Sequence, residues 1–315
     1  MMFLPTYPFK RVVSTIVAQN GLRRVKSFTG CGCRRYATAI NVRNTDGFNK
    51  IADQIKRSEN IVVVCGAGIS TPSGLPDFRS EGTGLYDNIE DYELTTPTDV
   101  FDLRFFNHNP RPFFRLAKSL YPGNFAPNKV HYFLKLLSVK DKLRRIYTQN
   151  IDTLEAIAGV PDKEIIFAHG SFHTATCMNC SAKYKADDIK DEIMNEQIPL
   201  CRIDGCQGVI KPDIVFFGEN LPWIFHQTYP GDLEDCDLML ILGTSLEVFP
   251  VAGLVYQLPK NKPRFLMNRD TVEPFTGDHQ TRINDYVFCG DLMTGVSRLV
   301  DHLGWSEDLQ KIVDS

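Results

Sequence analysis

Ile61-Val62-Val63-Val64-Cys65-Gly66-Ala67-Gly68-Ile69-Ser70, followed by Thr71-Pro72-Ser73-Gly74-Leu75-Pro76-Asp77-Phe78-Arg79-Ser80, is the stretch that decides the fold. A β-branched apolar run that breaks into small residues reads as a buried strand ending in a phosphate-binding turn, where glycines let backbone N–H groups approach an anion. The dinucleotide pattern Gly-x-Gly-x-x-Gly is incomplete, because Thr71 stands where the third glycine belongs. In its place the chain carries an acid, an aromatic ring and a guanidinium in Pro76-Asp77-Phe78-Arg79, close to the expected cofactor.

Working outward, five more short apolar runs end in small or polar residues: Arg145–Thr148, Ile165–Phe167, Leu238–Leu242, Arg264–Met267 and Tyr286–Phe288. Helix-period segments separate some of them, which predicts a Rossmann-like α/β fold, a parallel sheet with helices on both faces. Such sheets bind ligands beyond the carboxyl ends of their strands. The polar clusters fall at those ends: Gly66-Ala67-Gly68, Gln149-Asn150-Ile151-Asp152, His169-Gly170, Gly243-Thr244-Ser245, Asn268-Arg269-Asp270 and Gly290-Asp291. Two segments interrupt the pattern. Residues 90–140 read as a helical module, with Asn109 capping a helix from Pro110 and a second helix through His131, Phe133, Leu134 and Leu137. Residues 171–212 hold paired cysteines. The sheet is thus expected over 46–89, 141–170 and 213–301, with 302–315 a closing helix or frayed tail.

The formal net charge of −3 conceals an asymmetry: residues 1–45 contain eight basic residues and no acid, which leaves −11 on the remainder. An acidic body argues against general nucleic-acid binding. The basic, acid-poor leader reads as a mitochondrial transit peptide of residues 1–45, with Arg34-Arg35-Tyr36-Ala37 as a processing site. The alternative is a disordered basic tail on a cytoplasmic or nuclear protein. No apolar run approaches the ~18 residues that span a membrane, so membrane insertion is not expected. Nothing in the chain sets an oligomeric state.

Nine cysteines scattered through a long chain do not resemble a disulfide framework. Four of them form two pairs, Cys177-Met178-Asn179-Cys180 and Cys201-Arg202-Ile203-Asp204-Gly205-Cys206, separated by twenty residues. Two thiolate pairs suit one structural, tetrahedral zinc ion with no open position, and His173 lies near enough in sequence to compete as a ligand.

Taken together, these motifs resemble the sirtuins, NAD-dependent protein deacylases. The resemblance covers about residues 45–310 and includes Gly-Ala-Gly-Ile-Ser, Pro-Asp-Phe-Arg-Ser, Thr148-Gln149-Asn150-Ile151-Asp152, His169-Gly170, both cysteine pairs, Lys211–Glu219 and Gly243-Thr244-Ser245-Leu246-Glu247-Val248. Within the family the chain is most similar to the branch holding the cytosolic and mitochondrial deacetylases, and its leader and its ending Leu303–Glu307 resemble the mitochondrial one. The resemblance implies cofactor contacts from Gly66, Ala67, Gly68, Ser70, Thr71, Tyr86, Gln149, Ile151, Gly243 and Thr244. By the same resemblance Ser245 would face the pyrophosphate and ribose, Asn268 and Asp270 the adenosine ribose, and Cys289 and Asp291 the adenine side. Asn150 and Asp152 would line the nicotinamide pocket, while Asp77, Phe78 and Arg79 would sit on a cofactor loop with Phe78 keeping water from the sugar carbon.

The implied chemistry suits these residue types. Loss of nicotinamide leaves positive charge on the ribose, the acetyl-lysine oxygen attacks C1′, and exclusion of water prevents simple NAD hydrolysis. His169 would be the general base for a ribose hydroxyl. The implied products are deacetylated protein, nicotinamide and O-acetyl-ADP-ribose. An acetylated protein or peptide would be held by β-augmentation between Phe217-Gly218-Glu219 and Leu246-Glu247-Val248, with Val215 and Phe217 bordering the acyl-lysine tunnel. The segment Glu81–Asp87 lacks the Tyr-x-x-Arg of succinyl-removing members, which favours acetyl and longer neutral groups. Competing readings are an NAD-dependent ADP-ribosyltransferase and a silent NAD- or acyl-lysine sensor. A dehydrogenase fits least, given the defective fingerprint.

Overall fold

The structure, a computed structural model, describes residues 40–42, 44–75, 94, 96–276, 282 and 284–315. Its strands and helices in chain order are β1 (Ile40–Asn41), α1 (Thr45–Arg57), β2 (Ile61–Cys65), α2 (Leu103–His108), α3 (Arg111–Leu120), α4 (Lys129–Val139), β3 (Leu143–Thr148), α5 (Leu154–Ile157), β4 (Ile165–Phe167), β5 (Gly170–Cys177), β6 (Lys183–Lys185), α6 (Ala186–Met194), β7 (Ile210–Ile214), α7 (Trp223–Asp235), β8 (Leu238–Leu242), α8 (Gly253–Gln257), β9 (Arg264–Asn268), β10 (Asp285–Cys289), α9 (Leu292–Leu303) and α10 (Ser306–Val313).

Seven strands form one sheet in the order β1-β10-β9-β8-β2-β3-β4, every neighbouring pair parallel. All six strands expected from the sequence are in it. A parallel sheet is buried on both faces, and the apolar run of β2 divides accordingly. Ile61, Val63 and Cys65 pack into a core with side chains of α1, α4, α9 and α10, whereas Val62 and Val64 join Phe225, Leu233, Leu254 and Val255 from α7 and α8. α1 shows why a helix forms there. Asn44 caps it by accepting the Gly47 N–H at 2.9 Å, and Phe48, Ile51, Ala52 and Ile55 recur at the spacing of one helical face.

The first strand corrects the expected leader boundary. Ile40 and Asn41 pair in parallel with Tyr286 and Val287, and Val42 N–H donates to Val287 O at 2.9 Å. The folded body therefore begins before residue 46, the boundary expected from the sequence. A two-residue strand beside basic residues leaves no apolar run to announce it. At the other end, 302–315 closes as a helix: Leu309 of α10 is buried in the core shared with α4 and α9, and Trp305 joins it.

A second core lies around Phe106, Phe113, Phe114, Phe172, Ile189, Ile193 and Phe216, drawn from α2, α3, α6 and the antiparallel sheet β6-β5-β7. The helix expected from Pro110 is α3; its Arg111 N–H donates to the Asn109 side chain at 3.3 Å. The next helix, α4, packs Val130, Phe133, Leu134 and Leu137 into the sheet's core instead. Among the described residues no helix is long and apolar enough to cross a membrane.

Candidate active site and metal centre

The turn after β2 does its work differently from the simplest reading of its glycines. Gly66 N–H donates to Leu242 O at 3.2 Å and Gly68 N–H to Gly243 O at 2.8 Å, so both serve the turn that ends β8. A Cβ on Gly68 would lie 2.8 Å from the Gly243 Cα, and Gly243 itself has φ +58°. The two glycines let two strand-end turns pack backbone on backbone. The chain then makes a pair of short 3₁₀ turns, Ala67–Ile69 and Thr71–Ser73, held by Asn128: its Nδ2 donates to Ile69 O at 2.8 Å and to Ser73 Oγ at 2.9 Å. Asn128 is also the N-cap of α4, accepting the Val130 N–H at 2.9 Å.

Ser70 connects this turn to the residues after β3. Its hydroxyl donates to Asp152 Oδ2 at 2.7 Å and accepts from Asn150 Nδ2 at 3.2 Å. The ring of His131 lies on the same hydroxyl, Nε2 to Oγ 3.4 Å. His131 Nδ1 accepts the Asn128 N–H at 3.2 Å, which leaves the ring proton on Nε2. One serine hydroxyl thus has its proton and both lone pairs assigned, and they orient Asn150 and Asp152, each 6% exposed. Burial pulls the His131 pKa down to about 4, so the ring is neutral near pH 7. Burial raises the Asp152 pKa, opposed by hydrogen bonds from the Leu154 N–H and the Ser70 hydroxyl.

Beneath Asn150 lies a carboxyl that no sequence motif pointed to. Glu155 is fully buried and accepts from Thr148 Oγ1 at 2.6 Å, while Thr148 Oγ1 accepts the Asn150 N–H at 3.1 Å. Burial and then the charge of Asp152 raise the Glu155 pKa to about 7.

His169 follows β4, half-buried, with Nδ1 2.9 Å from Gln149 O. A carbonyl only accepts, so Nδ1 carries the proton and Nε2 the lone pair, the arrangement a general base requires. Burial lowers its pKa, partly offset by the Gln149 carbonyl, so the base form prevails at neutral pH. Gln149 is fixed in turn: its N–H donates to Cys65 O at 3.0 Å and its Nε2 to Thr244 Oγ1 at 2.8 Å.

The remaining expected residues are spread over the neighbouring strand ends. Ile151 packs into the second core. Thr71 Oγ1 donates to Gly68 O, and Ser245 is exposed after Thr244. Asn268 Nδ2 donates to Asp270 O at 2.9 Å, Cys289 Sγ lies 2.9 Å from Thr271 Oγ1, and Asp291 caps α9 by accepting the Thr294 N–H at 2.8 Å. Val215 N–H donates to His169 O at 2.8 Å, and the backbone of Phe217 pairs with Phe101 and Leu103. Glu219 points its carboxylate at Lys211 and the Phe216 N–H. Gly218 has φ +98°, Leu246 is buried, Glu247 is exposed and Val248 half-buried. Asp77, Phe78, Arg79, Tyr86 and the acyl segment 81–87 lie outside the described residues.

The four cysteines meet. All four sulfurs lie within 4.8 Å of one another, with Cys177–Cys206 at 3.6 Å and Cys180–Cys201 at 3.5 Å. Zinc–sulfur bonds of ~2.3 Å in a tetrahedron set sulfurs about 3.8 Å apart, so the donor set fits zinc. Backbone N–H groups of Asn179 and Cys180 reach Cys177 Sγ at 3.4 and 3.5 Å, and the Tyr184 hydroxyl, which accepts the Arg202 N–H, lies 3.1 Å from Cys201 Sγ. Such donors stabilise thiolates. His173, the competing ligand, is exposed and outside the cluster, its ring against Phe167.

Comparison with known proteins agrees with this assembly. The model of the Sir2 family matches residues 66–250. The chain is 52% identical over 251 residues to the NAD-dependent protein deacetylase sirtuin-3 of Mus musculus, covering 79% of this chain and 73% of the mouse protein. It is 43% identical over 272 residues to the NAD-dependent protein deacetylase sirtuin-2 of Danio rerio, covering 82% and 71% of the two chains. It is 43% identical over 280 residues to the NAD-dependent protein deacetylase hst2 of Schizosaccharomyces pombe, covering 88% and 82%. With strand ends, paired cysteines and more than half the chain accounted for by one family, the protein belongs to the Sir2 family.

Proposed function

We infer that this protein is an NAD-dependent protein-lysine deacetylase. Within its family frame, the observation that carries the reading is the placement of His169 in its base tautomer beside a turn whose Asn150 and Asp152 are fixed by one serine hydroxyl. A binder that performs no chemistry has no use for an oriented base. NAD is the co-substrate, and when bound it supplies a ribose carbon that exchanges nicotinamide for the acetyl oxygen. The steps are assigned to the protein's own atoms. Asn150 and Asp152 hold the nicotinamide end through polar groups that cannot rotate away, since Ser70 and the Leu154 N–H fix them. His169 Nε2 takes a ribose hydroxyl proton, and the developing imidazolium is steadied by Gln149 O at Nδ1. The outer cofactor contacts are assigned to Gly243, Thr244, Ser245, Asn268, Asp270, Cys289 and Asp291.

The peptide is assigned to the groove between residues 217–219 and 246–248, entering as a strand. Because Phe217 already bonds Phe101 and Leu103 through its backbone and the Glu219 N–H donates to Phe216 O at 2.9 Å, pairing on that side is left to Gly218 and the Glu219 carbonyl. The four-cysteine cluster holds the structural zinc ion, distant in role from the chemistry. We assign the larger domain to the parallel sheet with its flanking helices, α4 included, and the smaller one to the second core with its helical and zinc modules. The basic leader supports a mitochondrial address; residues 1–39 fused to a fluorescent protein should enter the organelle, and diffuse cytosolic signal would refute this.

A panel of acylated peptides incubated with and without NAD tests the reading. Acetyl and longer neutral groups should be removed only with NAD, and succinyl poorly. Faster removal of succinyl, or label from NAD transferred to the protein, would overturn it in favour of another acyl preference or of ADP-ribosyl transfer.

A further inference from the structure

β7 carries Lys211 and runs into the segment Val215–Glu219. Lys211 is only 5% exposed, an unusual place for an ammonium group unless each N–H finds a partner. Its Nζ lies 2.6 Å from Ile214 O and 2.9 Å from Glu219 Oε2, with Pro212 O at 3.4 Å and the Phe216 ring centroid at 4.3 Å. The same Glu219 Oε2 accepts the Phe216 N–H at 2.7 Å. The Lys211–Glu219 ion pair thus ties in a carbonyl at 214 through the ammonium and the N–H at 216 through the carboxylate.

The segment so tied is anchored on both flanks. Val215 N–H bonds His169 O at 2.8 Å, and Phe217 pairs with Phe101 and Leu103. Phe216 is locked into the second core by edge contacts with Phe101, Phe106 and Phe113. Beyond these anchors the chain turns at Gly218, which is exposed and has φ +98°, and half-buried Glu219 closes the turn with its N–H on Phe216 O at 2.9 Å. Left to itself, a glycine-containing turn samples many conformations, and ordering it on peptide binding costs affinity. The Lys211–Glu219 pair removes that freedom in advance. Burial lowers the Lys211 pKa, and Glu219 is the first group to oppose that fall, followed by Asp213.

We propose that Lys211 is a positioning residue for the acyl-lysine peptide: through Glu219 it pre-forms the Gly218–Glu219 edge on which the substrate strand pairs. The proposal rests on the deacetylase reading above. It acts on peptide capture and leaves the NAD end, built from β2, β3 and β8 turns, untouched.

The test is steady-state kinetics of Lys211→Met, Glu219→Gln and the double variant on the full chain with one acetylated peptide and NAD. Each single variant should raise the peptide KM by about tenfold, with the NAD KM within about twofold of wild type, as expected for loss of pre-organisation at one substrate. Because the two side chains act as a unit, the double variant should be no worse than the poorer single one by more than about twofold. Thermal melting confirms that the variants are folded; should Lys211→Met not fold, Glu219→Gln, which keeps the size of the side chain but removes its charge and one acceptor oxygen, carries the test alone. A folded variant with unchanged peptide KM, an equal rise in both KM values, or multiplicative effects in the double variant would overturn the proposal. Wild-type turnover of the same peptide keeps the two readings apart, since an inactive wild type overturns the deacetylase assignment itself.

Discussion

Replacing His169 with alanine should lower kcat/KM for deacetylation by about 10²–10⁴-fold, the range a positioned general base supplies, or roughly 3–5 kcal/mol of barrier. The effect belongs to the chemical step. His169 is half-buried, its side chain makes one hydrogen bond to a carbonyl, and its backbone bond to Val215 survives the substitution. The melting temperature should therefore barely move. The pH dependence rests on the same geometry. The base works unprotonated, so activity is full above its pKa and lost as pH falls through it. Burial places that pKa below the ordinary histidine value of 6.5, so the acid limb of kcat/KM should have its midpoint below 6.5. Substantial NAD-dependent turnover by His169→Ala, or an acid limb centred above 7, would refute the role.

The second large effect is expected at the metal centre. The buried apolar side chains of the zinc module, among them Phe172, Ile189 and Ile193, belong to a core shared with α2 and α3, while Cys180 is exposed. Structural zinc supplies ~10–16 kcal/mol to zinc-finger peptides, and loss of even a third of that here would lower the melting midpoint by about 10 °C for a chain of this size. Stripping the metal with a chelator, or making Cys201→Ser, should therefore melt residues 171–212 first and abolish activity with them. The second core joins this module to α2 and α3, so its loss also loosens Phe216 and the peptide edge. Metal analysis giving well under one zinc per chain, or an unchanged midpoint after chelation, would contradict the assignment.

How much of this was legible in the sequence varied with the kind of signal. The six longer strands and their polar ends were readable because a buried parallel strand must be a continuous apolar run and must stop where the chain turns. The cysteine pairs were readable because a closed metal site constrains spacing. β1 was not, since two residues show no periodicity and the neighbouring charges suggested a leader. His131 sits on an apolar helix face and reads as core; only the third dimension brings its Nε2 to Ser70. Glu155 and Lys211 look like ordinary charged residues, and nothing local reveals that both are buried. The glycines of the first turn show the converse case. Their presence was informative, yet their N–H groups serve the neighbouring turn at Gly243. The missing third glycine of the dinucleotide pattern is consistent with this: the chain continues into short 3₁₀ turns gripped by Asn128, where a dehydrogenase would begin a long helix.

The protein breaks NAD in order to move an acetyl group. Mass spectrometry of a reaction containing an acetylated peptide and NAD tests it most directly. For each lysine deacetylated, one nicotinamide and one O-acetyl-ADP-ribose should appear, and none without NAD. Free acetate released without NAD consumption, or ADP-ribose found attached to protein in place of O-acetyl-ADP-ribose, would contradict NAD-dependent deacetylation.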